Sequence, residues 1–148
     1  MLQTVYDAPF GRLVLTCDGD ALCALTLGDT SRRDTHPLLT RTAAQLDEYF
    51  AGKRQSFDLP LSPVGSPFQR RVWEELQQVP FGQTVTYGAL AARIGSPRAA
   101  RAVGNAVGAN QLLIVIPCHR VVAANGIGGF ACGLHIKRAL MNVEHIKY

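Results

Sequence analysis

Thr86-Tyr87-Gly88-Ala89-Leu90-Ala91-Ala92-Arg93-Ile94-Gly95-Ser96-Pro97-Arg98-Ala99-Ala100-Arg101-Ala102-Val103-Gly104-Asn105-Ala106-Val107-Gly108 reads as two short helices and the turn between them. Thr86 can cap a helix running through about Ile94, with Leu90, Ala91 and Ile94 inward, and Gly95 stops it. Ser96-Pro97 then opens a second helix through about Gly108. So tight a connection fits a helix-turn-helix, and also an ordinary αα-hairpin. The second helix has a core stripe of Val103 and Val107 with Ala99 or Ala100, and its other positions are mostly tiny. A reader of the major groove usually offers Asn, Gln and Arg to base edges, whereas this helix offers Arg98 and Arg101 and little else. A surface of small side chains suits close approach to a minor groove about 6 Å wide, with one long Arg as a wedge. The plainer alternative is that Ala favours helix and packs closely.

Working outward, Ser66-Pro67 is a cap followed by Pro at the first helical position. Phe68, Val72, Trp73 and Leu76 then share one face, Pro80 ends the segment, and a short Gly82–Val85 stretch follows. Downstream, Leu112-Leu113-Ile114-Val115-Ile116 predicts a buried strand with Cys118 at its end. Upstream, residues 3–30 read as β structure, with Asp18-Gly19-Asp20 as a turn between two runs. Residues 36–51 fit a helix with Leu38, Leu39, Ala43, Leu46 and Phe50 at helical spacing and Gly52 as its stop. Pro60, Pro63 and Gly65 mark a connection between two lobes. The expected fold is α+β. A small β-sheet and helix make an N-terminal lobe over 1–62. A mainly helical lobe over 63–148 carries the helix-turn-helix and a short sheet behind Cys118.

The 148 residues are 47% hydrophobic and 18% charged, which argues against wholesale disorder. No apolar run approaches the roughly 20 residues of a membrane span, and the N-terminus lacks the pattern of a secretory signal. A monomer in the cytoplasm, with no membrane partner, is the expectation. Residues 1–65 carry six Lys and Arg against eight Asp and Glu; residues 66–148 carry nine against three. The basic half is the candidate for an anionic partner, most simply nucleic acid. Cys17, Cys23, Cys118 and Cys132 are too few for a disulfide scaffold and form no CxxC pair, so no structural metal is expected. A Cys17–Cys23 bridge across the hairpin turn is geometrically allowed, though thiols stay reduced in the cytoplasm.

Pro117-Cys118-His119-Arg120 holds a nucleophile beside a base. A free thiol with pKa near 8.5 is only a few per cent ionised at pH 7, and His119 would raise that fraction. Neighbours on a strand face opposite ways, so a direct contact would need a turn or a bridging water. Glu144 would orient the imidazole as a third member. Alone, the dipeptide reads more often as a core cysteine beside a surface histidine than as a catalytic pair. The longer run does not: Pro117-Cys118-His119-Arg120-Val121-Val122, then Asn125-Gly126, Gly129-Phe130-Ala131, Gly133-Leu134, Lys137, Leu140 and Glu144. With Ser66-Pro67-Phe68-Gln69, Val72-Trp73, Pro80-Phe81-Gly82, Thr86-Tyr87, Pro97, Ala99 through Gly104 and Asn110, it resembles the O6-alkylguanine-DNA alkyltransferases over about residues 64–144. The likeness is looser over the N-terminal lobe, for which it implies a ribonuclease H-like arrangement.

The resemblance implies direct reversal of DNA damage. Cys118 would accept the alkyl group from O6-alkylguanine, and by extension from O4-methylthymine. His119 would deprotonate the thiol through a water, backed by Glu144, and Tyr87 would give a proton to the departing guanine. Asn110 would tie the helix-turn-helix to the active-site segment. Arg101 would fill the stack once the damaged nucleotide flips out, with Ser96, Thr86 and Ala102 also facing double-stranded DNA in its minor groove. Val121, Phe130 and Ala131 would line the base pocket. The alkylated cysteine is a thioether with no carbonyl for water to attack, so each molecule would turn over once, with no cofactor. Cooperative binding to DNA is left open. Phe130 stands where the family commonly has Tyr, Cys132 where Gly or a bulky residue is usual, and the Gly126–Gly133 loop is one residue shorter than in several relatives. Three rivals compete: a damage sensor of the same shape, disfavoured because such proteins lack the cysteine; a cysteine hydrolase using Cys118, His119 and Glu144; and a major-groove regulator, disfavoured by the scarcity of Asn and Gln on the second helix.

Overall fold

In the computed structural model, which describes residues 1–148, the chain forms two compact units. The first takes residues 1–64 together with 111–113. Strands β1 (Leu2–Ala8), β2 (Gly11–Asp18) and β3 (Ala21–Leu27) make an antiparallel meander. The sequence reading saw one turn here. A second lies at Pro9-Phe10, where Pro can donate nothing to a ladder and Gly11 takes a φ of 145°. Helix α1 (Pro37–Phe50) starts where expected, with His36 Nδ1 accepting the Leu38 N–H at 3.0 Å. The buried Leu13, Leu15 and Leu25 of the sheet, with Leu39, Leu46 and Tyr49 of α1, form its core. Cys17 and Cys23 are both free thiols. A bulge separates them: Cys17 pairs with Leu22, while the Cys23 Sγ lies 3.5 Å from the Thr16 carbonyl.

The expected strand at 112–116 is not one. Leu112 makes a single parallel bridge to Leu25, held by Leu25 N–H to the Gln111 carbonyl and Leu113 N–H to the Leu25 carbonyl. Ile114 then adopts a φ of 71°, a conformation costly for a β-branched residue and unable to continue a ladder. The run is apolar because it is buried, not because it is extended.

The second unit takes residues 65–110 and 114–148. Helix α2 (Pro67–Leu76) opens with a reciprocal capping box, Gln69 N–H to Ser66 Oγ at 3.1 Å and Ser66 N–H to Gln69 Oε1 at 2.9 Å. Gly65 is required before it: a Cβ there would sit 2.5 Å from the Trp73 ring. Strand β4 (Val85–Thr86) runs parallel to β5 (Val121–Val122). Helix α3 (Tyr87–Arg93) is capped by Thr86, whose hydroxyl accepts the Ala89 N–H at 3.1 Å, and the Arg71 guanidinium takes the Ile94 carbonyl beyond its end. Helix α4 (Ala100–Gly108) starts three residues later than Pro97 suggested. The Ser96 carbonyl accepts Ala99 N–H at 2.9 Å, so 96–99 close a turn first and the helix has no side-chain cap. The Trp73 indole donates to the Ala106 carbonyl at 2.8 Å, hooking α4 to α2. Helix α5 (Leu134–Val143) completes the unit. No helix is long and apolar enough to cross a membrane.

Candidate active site

Cys118 opens a 3-10 turn, Cys118–Arg120, rather than ending a strand. Pro117 precedes it, and Cys118 N–H to the Ile116 carbonyl and Arg120 N–H to the Pro117 carbonyl close the backbone on itself. At three residues per turn, side chains point some 120° apart, so Cys118, His119 and Arg120 leave the backbone in three directions. All three are buried; Cys118 is 4% exposed.

His119 and Arg120 converge on Glu144, the residue that caps α5. His119 Nε2 lies 2.5 Å from Glu144 Oε2. Arg120 grips the same carboxylate with two nitrogens, at 2.8 and 3.1 Å, and gives a third N–H to the Val79 carbonyl at 2.7 Å. Gly82 N–H adds a bond at 3.1 Å. Burial at a helix C-terminus works against a carboxylate's charge, but the hydrogen bond from His119 and the bonds and charge of Arg120 outweigh it. They hold Glu144 well below the usual carboxylate range. Burial likewise lowers the His119 pKa from its ordinary value, against the pull of Glu144. The pair is therefore a neutral imidazole donating Nε2–H to a carboxylate. That tautomer leaves Nδ1 as an acceptor, and Nδ1 is buried with no partner in the chain.

Burial pushes the Cys118 thiol up to about 11, although a hydrogen bond from the Asn110 side chain pulls the other way. At pH 7 about one molecule in ten thousand would hold a free thiolate unaided. A thiol in this setting becomes a thiolate readily only when a nearby base takes its proton.

Asn110 Nδ2 also donates to the Ile116 carbonyl at 2.9 Å, joining the segment after α4 to the one before Cys118. Tyr87 is half-buried; burial raises its pKa, while the Gly129 backbone at its hydroxyl lowers it. Its ring packs between α4, where a Cβ on Gly104 would lie 3.7 Å away, and the loop, where one on Gly128 would lie 3.2 Å away. Val121 is buried in β5, Phe130 is half-buried and Ala131 exposed. Arg101 and Ala102 are exposed on α4; Ser96 and Thr86 are half-buried around α3; none belongs to the buried network. The structure thus gathers Cys118, His119, Glu144, Asn110 and Tyr87, and leaves only Arg101 and Ala102 of the other four fully exposed.

Residues 67–146 match the DNA-binding domain of 6-O-methylguanine DNA methyltransferase, and residues 1–63 its ribonuclease-like domain. The chain belongs to that methyltransferase family. It is 40% identical to the constitutive methylated-DNA–protein-cysteine methyltransferase of Bacillus subtilis, over 98% of this chain and 96% of that one. It superposes with a TM-score of 0.89 on the crystal structure of Mycobacterium tuberculosis OGT in complex with DNA, at 40% identity over 97% of this chain and 92% of that one. A weaker likeness, TM-score 0.50 and 28% identity over 54% of this chain and 77% of the other, is to S. pombe Atl1 in complex with damaged DNA containing O6-carboxymethylguanine.

Sequence reasoning gave Arg120 and Lys137 no role, yet both are buried, Arg120 with a bond from each of its three nitrogens and Lys137 with all three N–H groups used. The signal for Lys137 was present. It shares the apolar face of α5 with Ile136, Leu140 and Met141, where helical spacing puts a charge among core residues.

Proposed function

We propose that the protein repairs alkylated DNA directly, moving the alkyl group from O6 of a guanine in duplex DNA to Sγ of Cys118. What carries this reading is the neutral His119, bonded to Glu144 through Nε2 and holding an unpartnered acceptor, Nδ1, next in sequence to a buried thiol whose pKa burial pushes up to about 11. In the proposed step the thiol proton passes through a water to His119 Nδ1. The sulfur attacks the alkyl carbon in line, the C–S bond forms, and the C–O6 bond breaks. Its electron pair goes to the base, which takes a proton from the Tyr87 hydroxyl, so that a neutral guanine leaves. O4-methylthymine presents the same alkyl–oxygen bond and is included. The thioether cannot be hydrolysed, so one chain repairs one lesion.

Residues 63–148 act as the transferase and DNA-binding half, with α3 and α4 as a helix-turn-helix in the minor groove, and residues 1–62 form the ribonuclease-like lobe. Flipping the damaged nucleotide costs a few kcal/mol, less for a weakly paired base. The exposed Arg101 fills the gap it leaves. Replacing Arg101 with Ala should lower flipping, read by 2-aminopurine fluorescence at the lesion, more than it lowers affinity for undamaged duplex. Equal losses in both would remove the wedge role. Binding should weaken with salt as phosphate contacts release counterions.

Intact-mass spectrometry after mixing the protein with a duplex carrying one O6-methylguanine tests the whole reading. One permanent methyl group on the Cys118 peptide, absent in Cys118→Ala, is the expected result. Binding to the damaged duplex without an adduct would make the protein a sensor. Repeated turnover with excess damaged DNA would exclude a stoichiometric acceptor.

A further inference from the structure

Lys137 is 0% exposed, and its ammonium takes three backbone carbonyls: Val121 at 2.6 Å, Ile127 at 2.6 Å and Gly129 at 2.9 Å. An ammonium has three N–H donors, so each is used. The three acceptors have a pattern. Val121 lies in β5, directly after the turn that carries Cys118. Ile127 and Gly129 belong to the following loop, which has no strand or helix of its own to hold it over 127–130. Between them Gly128 takes a φ of 77° and passes so near Tyr87 that a Cβ would lie 3.2 Å from the ring, 3.3 Å from the hydroxyl and 3.0 Å from the Ala123 nitrogen. The Gly129 backbone also reaches the Tyr87 hydroxyl. One side chain on α5 therefore ties the strand after the nucleophile to the loop against which Tyr87 rests. Burying an amine is unfavourable, and here it brings the Lys137 pKa down to about 8. Ile127 packs against Val122, Met141 and Ile146, so apolar contact alone already covers part of the loop. The ammonium adds direction rather than bulk.

We propose that Lys137 is a positioning residue for alkyl transfer, fixing the 127–129 loop so that Tyr87 is held where the departing base needs its proton. The inference rests on the alkyl-transfer reading above. Displacement of a reacting group by about 1 Å can cost a hundredfold in rate. Lys137→Met, with the milder Lys137→Gln as its companion should Met impair folding, separates this role from a purely structural one.

Two reactions of Cys118 are compared, each mapped by peptide mass: transfer from an O6-methylguanine duplex, and alkylation by iodoacetamide, which needs neither guanine nor Tyr87. Transfer should fall about a hundredfold. Iodoacetamide alkylation should stay within about threefold, and the thermal transition should remain cooperative. In a Tyr87→Phe background the same Lys137 substitution should cost less than about fivefold, because the two residues act as one unit. Parallel loss of both reactions, an additive cycle with Tyr87→Phe, or unchanged transfer would each overturn the proposal. Failure of the wild-type protein to take a methyl group onto Cys118, while iodoacetamide still reacts, would instead overturn the reading on which it rests.

Discussion

His119→Ala should slow alkyl transfer about a thousandfold at pH 7 and change the shape of its pH profile. In the wild type, burial keeps the His119 pKa below its ordinary value near 6.5, so the base is ready throughout the neutral range. The rate should be flat there and fall only on the acid side, as the imidazole takes a proton of its own. Without the imidazole the rate must follow the free thiolate, whose pKa burial has pushed to about 11. The variant's rate should then climb about tenfold per pH unit through pH 9 and beyond. Single-turnover assays on a damaged duplex between pH 6 and 9.5 would show it. A variant profile as flat as the wild type's, or a loss under about tenfold, would mean that His119 is not the base.

Arg120→Leu should destabilise the protein by about 3–5 kcal/mol, since it leaves the Glu144 carboxylate buried without its bidentate partner. Urea unfolding measures this directly. Removing both charges, as Arg120→Met with Glu144→Leu, should recover more than half of the loss, because an apolar pair of similar size carries no desolvation cost. Acid supplies a second check. The folded-state pKa of Glu144 lies below its unfolded value, so its contribution is complete above roughly pH 4.5 and is lost as pH falls below that. Glu144→Gln should flatten this part of the stability curve. A wild-type acid slope retained in full by Glu144→Gln would place the titration on other carboxylates.

These expectations differ in where they became visible. The starts of α1, α2 and α3 and the stop of α3 were legible because Pro37, Ser66-Pro67, Thr86 and Gly95 act within one helical turn of themselves, whereas α2 ends at Leu76, before Pro80. The candidate thiol and its neighbours stood out because the run from Pro117 to Val122 is contiguous. The Leu112–Ile116 run misled, since burial and extension select the same residues and only the left-handed Ile114 tells them apart. The start of α4 was misplaced because the Ser96 carbonyl was free to close a turn with Ala99 instead. Neither outcome can be read from residue type.

By itself the sequence determined the class of the fold, the family signature, the thiol and its adjacent imidazole, and the basic character of the second half. Those are properties of local spacing and composition. Tertiary structure alone decided that Cys118 sits on a tight turn, that one carboxylate serves both His119 and Arg120, and that Lys137 fastens the loop beside Tyr87. Glu144 is 25 residues from His119 and Lys137 is 16 from Val121. Whether such groups meet depends on how α5 returns to the Cys118 turn, and so does the desolvation that sets their protonation states.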